Sequence, residues 1–297
     1  MAVRRLARDS RDLLTAGPFL ALKAAVFGLF VAVPFVYTFV LTFQRGSLLS
    51  GLRWNGLGNY RTVLTDTLFR DSLLNTLVFM AITIPVTVLV SMAVGLLLAS
   101  GLPGIRVHRA LIYLPSLLSV VATGLIWKVM IDPEQGPLDL LLDKLFGLRV
   151  PWLTDGGVAI VFLSLITVWC SCGFYSLIFM AGFNNIPQDL LEAGRIDGAS
   201  TWQLLVHIRI PLVRSVAQVV LVLVTISAVQ VFDLVFVMTH GGPGTETYTA
   251  MWYVYQNAFN GGSVAYAATM SIVLLLVTMI IAAVFLARTE SGGEAGD

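Results

Sequence analysis

The sequence has little charge and few cysteines, and each scarcity excludes a class of protein. Only 12% of the 297 residues are charged, against about 25% in soluble domains, which excludes an ordinary soluble protein. The net charge of +1 argues against a nucleic-acid partner. The two cysteines, Cys170 and Cys172, stand two apart in an apolar run. This is not CxxC spacing, so we interpret them as packing residues rather than metal ligands.

The residues needed for common enzymatic chemistry are also missing. A P-loop needs Gly-Lys-Ser or Gly-Lys-Thr to hold phosphate, whereas the three lysines follow Leu22, Trp127 and Asp143. The histidines fall in or beside three different connections and form no HExxH motif and no nucleophile–His–acid set; they are His108, His207 and His240. We therefore predict that the chain is not an enzyme, and that it has no cofactor or metal site of its own.

Long apolar runs are what the sequence has instead. Six runs exceed the roughly 20 residues that a helix needs to cross a hydrocarbon core of about 30 Å, and helices satisfy their own backbone groups in lipid. The sequence predicts an all-α polytopic membrane protein with six transmembrane helices in residues 18–288. A short segment, 1–17, precedes them and a disordered tail, 289–297, follows. The runs cover residues 18–43, 73–99, 110–131, 158–183, 212–238 and 264–287.

The distribution of basic residues predicts the orientation. If both termini are cytoplasmic, the inner segments hold ten arginines and the outer segments hold six lysines and arginines. Because positive charge is enriched on the cytoplasmic side, we expect cytoplasmic termini. The connection between the fourth and fifth runs then also lies in the cytoplasm.

That connection, residues 184–211, is the most informative polar stretch. Pro187 predicts a helix start, since a proline at the first helical position sacrifices no hydrogen bond, and either preceding asparagine can cap it. Gly198 predicts a helix stop. Ser200 and Gln203 have capping-box spacing and predict a second helix. We expect two short helices that meet at a glycine on the membrane surface.

The same segment resembles the EAA loop of permease subunits of bacterial ABC importers. The family pattern is E-A-A, three residues, Gly, nine residues, then I-x-L-P, and the spacing matches throughout. Two positions depart from it: Gly194 replaces the second alanine and Ile210 replaces leucine. The resemblance implies a coupling helix that docks on a separate ATPase subunit, the alternative being an ordinary connector. The implied docking residues are Glu192, Ala193, Gly194, Asp197, Gly198, Ala199, Ile208 and Pro211.

Glu192 is the strongest candidate of this set. It is predicted on the exposed face of the first short helix, where it could pair with a basic residue of the ATPase. The alternative is a local i, i+3 pair with Arg195, which contributes only about 0.2–0.5 kcal/mol.

Shorter stretches are similar to the carbohydrate-uptake, maltose-permease-like group of type I importers, and the resemblance covers about residues 18 to 288. It implies half of a sugar pathway in the plasma (inner) membrane of a bacterium. The implied partners are a second homologous permease, two ATPase subunits holding ATP-Mg, an extracytoplasmic binding protein and the lipid bilayer. The stretches are Gly56 to Tyr60, Asn75-Thr76, Leu114-Pro115 with Trp127, and Gly241-Gly242-Pro243.

Other functions remain open on the sequence alone. Glycerol 3-phosphate or a glycerophosphodiester is an alternative substrate, although a phosphate favours Arg or Lys in the path. An ion-coupled secondary transporter usually needs midplane carboxylates or broken helices in two corresponding halves. A membrane-embedded sensor or assembly factor is the remaining alternative.

Polar residues in the spans are the candidates for the substrate path. Asp233 interrupts the fifth apolar run, and a central charge costs roughly 2.5–3.5 kcal/mol on insertion scales, so it should face protein or water. Asp233 and Gln230 are predicted to line the path, or Asp233 is merely solvated or paired near the outer surface. Asn75 is the third candidate, with a cap or an interhelical hydrogen bond as its alternative.

Overall fold

Helices make up most of the chain, as lipid requires of backbone groups that have no water to bind. The computed structural model describes residues 18, 20–47, 51–101 and 103–290. The predicted segment 1–17 and positions 291–297 of the predicted tail lie outside the described residues. The chain divides into two compact units, one ending at Thr65 and resuming at Val254–Val273, the other covering Asp66–Tyr253 and continuing from Leu274.

The first unit begins with an apolar helix and contains an element that the all-α prediction missed. A small antiparallel hairpin follows this helix, with Gln44 opposite Trp54 in its register. Helix α12 begins in this unit, and at Glu290 it ends two residues beyond the predicted boundary at 288. The elements are α1 Leu20–Leu41, with a π-helical stretch at Gly28–Ala32, β1 Gln44–Ser47, β2 Gly51–Trp54, α2 Gly58–Thr65, a π-helical stretch at Gln256–Asn260 and α12 Val264–Glu290.

The Gly56 to Tyr60 stretch fastens α2 to the end of α1. Asn59 is buried, and its Nδ2 donates to the carbonyl oxygens of Thr42 at 2.9 Å and Gln44 at 2.6 Å. The Tyr60 hydroxyl donates to Thr42 Oγ1 at 2.9 Å. These bonds satisfy the carbonyl of Thr42, the C-cap of α1, and the carbonyl of Gln44 at the start of β1. The stretch therefore has a structural role in this chain.

The second unit holds most of the apolar helices. Helix α3 begins at Thr67 rather than at the predicted 73, because Asp66 caps it by accepting from the Phe69 N–H at 3.0 Å. Hydropathy alone does not detect such a polar first turn. The elements are α3 Thr67–Ala99, α4 Ile105–Leu117, α5 Val120–Met130, α6 Pro137–Phe146, α7 Gly156–Asn184, α8 Gln188–Ile196, α9 Thr201–Leu212, α10 Arg214–Val229 and α11 Ala250–Tyr255, whose end enters the first unit.

Glycines allow the helices of this unit to approach one another closely. A Cβ on Gly95 of α3 would lie 2.5 Å from Phe179 Cβ and 2.9 Å from the Ser176 carbonyl oxygen of α7. A Cβ on Gly173 of α7 would collide with the Ile112 carbonyl oxygen of α4. Small residues at crossings are typical of membrane helices, whose association depends on close packing rather than on the hydrophobic effect.

Four of the six predicted spans correspond to continuous helices, and a bent pair of helices overlaps each of the other two. Among the described residues, α1, α3, α7 and the Val264–Val284 part of α12 are long and apolar enough to cross a membrane. The pairs α4–α5, bent by 95°, and α9–α10, bent by 63°, bring the count to six if each pair is one span.

The third and fifth apolar runs, each predicted as one transmembrane helix, are therefore not continuous helices. In the third run, Leu118 and Ser119 are extended between α4 and α5, three residues after Pro115. In the fifth run, α10 ends at Val229, and a π-helical stretch, Val235–Thr239, follows a short break. The break in the fifth run was not predicted, because hydropathy records composition and not backbone conformation.

Candidate functional site

The predicted two-helix segment is present, and a Schellman motif ends its first helix. The Gly198 N–H donates to the Arg195 carbonyl at 3.1 Å, and the Ala199 N–H donates to the Gly194 carbonyl at 2.9 Å. Gly198 has φ +84°, which confirms the predicted helix stop, since a left-handed residue is required there. Asp197 is the exposed C-cap. The helix is therefore closed by its own backbone.

The start of this helix differs from the prediction by one residue. Pro187 is the N-cap, in extended conformation with ψ 129°, and Gln188 is the first helical residue. Neither asparagine caps α8, because Asn184 is the last residue of α7 and Asn185 is its C-cap.

The predicted capping box opens the second helix. The Gln203 N–H donates to Ser200 Oγ at 3.3 Å, and the Ser200 N–H donates to Gln203 Oε1 at 2.8 Å. Helix α9 then widens into a π-helical stretch, Leu205–Arg209, before Pro211. Because proline has no N–H, it cannot continue the ladder, and the bend into α10 follows at Val213.

Gly194 lies at the contact between the two short helices. A Cβ there would lie 2.7 Å from Leu204 Cδ2 and 3.1 Å from Ile208 Cδ1. Leu204 is buried and Ile208 is half-buried, so the two helices are held together by packing at this glycine. The small residue is needed because a large one would separate the helices.

Gly194→Ala is expected to be tolerated, because only the flexible ends of Leu204 and Ile208 must move and alanine favours the helix by up to about 1 kcal/mol. Gly194→Leu is expected to destabilise the segment by about 1–3 kcal/mol through overpacking. Thermal unfolding of both variants in detergent measures the difference. An equal midpoint for the alanine and leucine variants would show that the helices do not pack at Gly194.

A second polar feature lies where the fifth apolar run is interrupted. Gln230 is the C-cap of α10, and residues 231 and 232 have no regular secondary structure. The buried Thr249 donates from Oγ1 to the Val231 carbonyl at 3.0 Å and so satisfies one freed backbone group. Gln230 and Asp233 are both exposed beside the break. Asp233 has no ion pair or side-chain hydrogen bond with any residue that the structure describes.

Asn75 lies inside α3 and does not begin it. Its Nδ2 donates to the Tyr248 carbonyl at 3.0 Å, and the adjacent Thr76 Oγ1 accepts from the Ala250 N–H at 2.9 Å. The two side chains thus fasten the 248–250 backbone to α3. Asn75 makes a tertiary hydrogen bond, and its contact with substrate stays a prediction.

Comparison with known proteins decides the family. The family model described as "Binding-protein-dependent transport system inner membrane component" matches residues 68–291. The chain belongs to this family of ABC importer permeases.

Individual relatives agree with this assignment over nearly the whole permease. A probable ABC transporter permease protein of Pyrococcus horikoshii is 31% identical, over 97% of this chain and 99% of the relative. The sulfoquinovosyl glycerol transport system permease protein SmoG of Agrobacterium fabrum is 30% identical, over 94% and 91%. A bacterial ABC transporter that imports the acidic polysaccharide alginate shares the fold, with TM-score 0.83 and 20% identity, over 97% of this chain and 99% of the solved one.

The exposed surface of the two-helix segment of this permease includes residues that the sequence reasoning missed. The exposed fraction is 86% for Ile196 and 69% for Trp202. Both are large apolar residues in a stretch that also contains the buried Leu204, so composition alone gives no signal that separates the exposed apolar side chains from the buried ones. Ile196 stands four residues after Glu192, so the two share one face of α8.

Glu192 is exposed and available on this face. The described residues include two ion pairs, Arg70–Asp71 and Arg149–Asp143, and the local pair of Glu192 with Arg195 is not one of them. The carboxylate therefore stands next to an exposed apolar side chain without a local partner.

Proposed function

We propose that this permease forms half of a sugar pathway and that its 184–211 segment is driven by a separate ATPase subunit. The proposal rests on one observation. The two-helix segment exposes the apolar side chains of Ile196 and Trp202 together with the carboxylate of Glu192, which has no local ion pair. Exposed apolar side chains rimmed by charge are typical of protein interfaces. A membrane-facing role does not explain the polar residues between them.

The construction of the segment supports a rigid mechanical role. The Schellman motif, the capping box and the contact at Gly194 fix the two helices without help from outside. Through α9 the segment continues directly into α10, a part of the fifth span. A movement of the ATPase surface in contact with Ile196 or Trp202 would therefore be transmitted to a membrane helix without an intervening flexible loop. Alternating access by rigid-body motion requires such a connection.

The proposed assembly contains the binding protein that the family description names, and also a second permease and ATPase subunits. A binding protein delivers substrate, and a second homologous permease completes the pathway. Two ATPase subunits hold ATP-Mg, so no catalytic residue is needed in this chain. We place the permease in the bacterial inner membrane with both termini and the 184–211 segment in the cytoplasm, as the arginine distribution predicts.

The break in the fifth run supports a path for a polar, uncharged solute. Irregular backbone at membrane depth is tolerated where it is covered by protein or lines a water-filled cavity. Gln230 and Asp233 are exposed at this break and offer hydrogen-bonding groups to hydroxyls. A sugar fits these groups better than a glycerol phosphate, whose phosphate would be repelled by Asp233.

Co-purification with the ATPase subunit tests the coupling proposal. Ile196→Asp, combined with Trp202→Asp, is expected to reduce the bound ATPase at least tenfold, because two charges replace the apolar contact. Leu64→Asp is the matched control, since Leu64 is also 86% exposed but lies in α2. A stoichiometric ATPase in the double variant would contradict the proposed docking surface. Absence of an ATPase from the unmodified assembly would favour a secondary transporter or a sensor.

Asp233→Ala is expected to raise the KM for uptake at least tenfold, about 1.4 kcal/mol, while the assembled complex is recovered in full. The solute to use is the one that the cognate binding protein selects from a panel of sugars and glycerol phosphates. Asp71→Ala, which removes another exposed carboxylate, is expected to leave the KM unchanged. Normal uptake by the Asp233 variant would remove this residue from the path.

A further inference from the structure

Helix α6 shows its apolar side to the outside and its acidic side to the interior. Leu140, Leu141 and Leu145 are 52%, 52% and 61% exposed. By contrast, Asp139 is only 6% exposed and accepts a hydrogen bond from Trp152 Nε1 at 2.9 Å. A helix on a water-facing surface has the opposite arrangement. The exposed leucine face therefore requires a cover other than water.

Lys144 indicates what kind of cover fits. It lies four residues after Leu140, in the same exposed face, and within the described part of the chain it belongs to no ion pair. The adjacent Asp143 is paired with Arg149, Oδ2 to Nη2 at 3.0 Å. An apolar protein groove would bury the ammonium group without a partner, which is costly. At a lipid surface the same side chain reaches a phosphate while its stem and the leucines stay in the apolar layer.

The surroundings of α6 favour the same cover. The helix lies between α5 and the start of α7, so it stands at the end of α7 opposite to α8. Trp152, fixed by Asp139, also lines an apolar groove of about 270 Å³ along the first turns of α7 with Val158, Val161, Phe162 and Leu165. Helix α7 is long and apolar enough to span the membrane, and this groove lies on its surface. The apolar surface of a span thus continues, through Trp152, to α6.

We propose that α6 is an interfacial helix, with Leu140, Leu141 and Leu145 inserted in the leaflet that faces away from the coupling segment and Lys144 bound to lipid phosphate. The occupant of the leucine face is phospholipid, not a protein. The proposal requires only that α7 spans the membrane, and it stands independently of the coupling role of α8.

Spin labelling of the full chain in nanodiscs of phosphatidylcholine and phosphatidylglycerol tests this placement. The protein to be labelled carries Cys170→Ser and Cys172→Ser, so that the nitroxide attaches only to the cysteine introduced by Leu141→Cys. Power saturation compares access of the label to oxygen, which partitions into lipid, and to a water-soluble nickel chelate. The matched control label is at Glu134→Cys, an exposed position of the same connection outside α6. Leu145→Cys replaces Leu141→Cys if that variant does not fold.

The label on the leucine face is expected to show an oxygen-to-nickel access ratio at least threefold above that of the Glu134 label. Adding Lys144→Glu is expected to lower this ratio, because the new carboxylate is repelled by lipid phosphate. Equal ratios at the two positions would overturn the proposal. Protection of the label from nickel only after a binding protein is added would also overturn it, and would assign the face to protein docking.

Discussion

In the Glu192→Lys variant, uptake is expected to fall at least tenfold while the chain still inserts and assembles. The carboxylate stands beside Ile196 on a face without a local ion pair, and a reversed charge there would repel the basic residue proposed on the ATPase. A close charge pair at an interface contributes up to several kcal/mol, and tenfold corresponds to about 1.4 kcal/mol. Uptake and ATP hydrolysis measured in one reconstituted preparation give the coupling ratio.

Two controls separate this role from the local alternative. Glu134→Lys makes the same charge reversal at the opposite end of α7 and is expected to leave uptake normal. Arg195→Ala removes the residue that the alternative local pair would need, without changing Glu192. If Arg195→Ala reduced uptake as much as Glu192→Lys, the effect would reside in the helix and not in docking. Unchanged uptake in Glu192→Lys would refute the proposed role.

The coupling segment was largely predictable because its signals are local. Gly198 and the Ser200–Gln203 pair specify a helix end and a helix start within a few residues, and both are found. Pro187 was placed one residue too far into the helix, since proline fits both the N-cap and the first turn. The exposure of Trp202 could not be read from its neighbours, because a tryptophan in such a segment can equally pack inward.

The bends and breaks of the spans were not predictable in the same way. Residues 231 and 232 are as apolar as a helix interior, and their irregular backbone is supported by Thr249, which lies 18 positions after Val231. The hairpin similarly depends on Asn59 binding the carbonyls of Thr42 and Gln44. In both places a distant side chain supplies the hydrogen bond, so no local pattern marks the site.

Replacing Gly173, which lies where α7 crosses α4, is expected to have a large effect on stability. Gly173→Ala is expected to destabilise the permease by about 1–3 kcal/mol, as overpacking does, although alanine favours a helix over glycine by about 1 kcal/mol. The new Cβ would meet the Ile112 carbonyl, which belongs to backbone and cannot rotate away, and would lie 2.9 Å from Ser116 Oγ. That hydroxyl also accepts from the Phe174 N–H at 3.2 Å, so the displacement breaks a hydrogen bond.

Gly157→Ala provides the matched comparison, because it makes the same change in the first turn of the same helix. Its Cβ would meet only Asp155 Oδ1, at 3.3 Å, so the helix preference of alanine should dominate and stability should hold or rise. Thermal unfolding in detergent is expected to give a midpoint several degrees lower for Gly173→Ala and an unchanged or higher one for Gly157→Ala. Equal midpoints would mean that α4 can move away from α7 without cost. The 95° bend after α4 would then not depend on its close contact with α7.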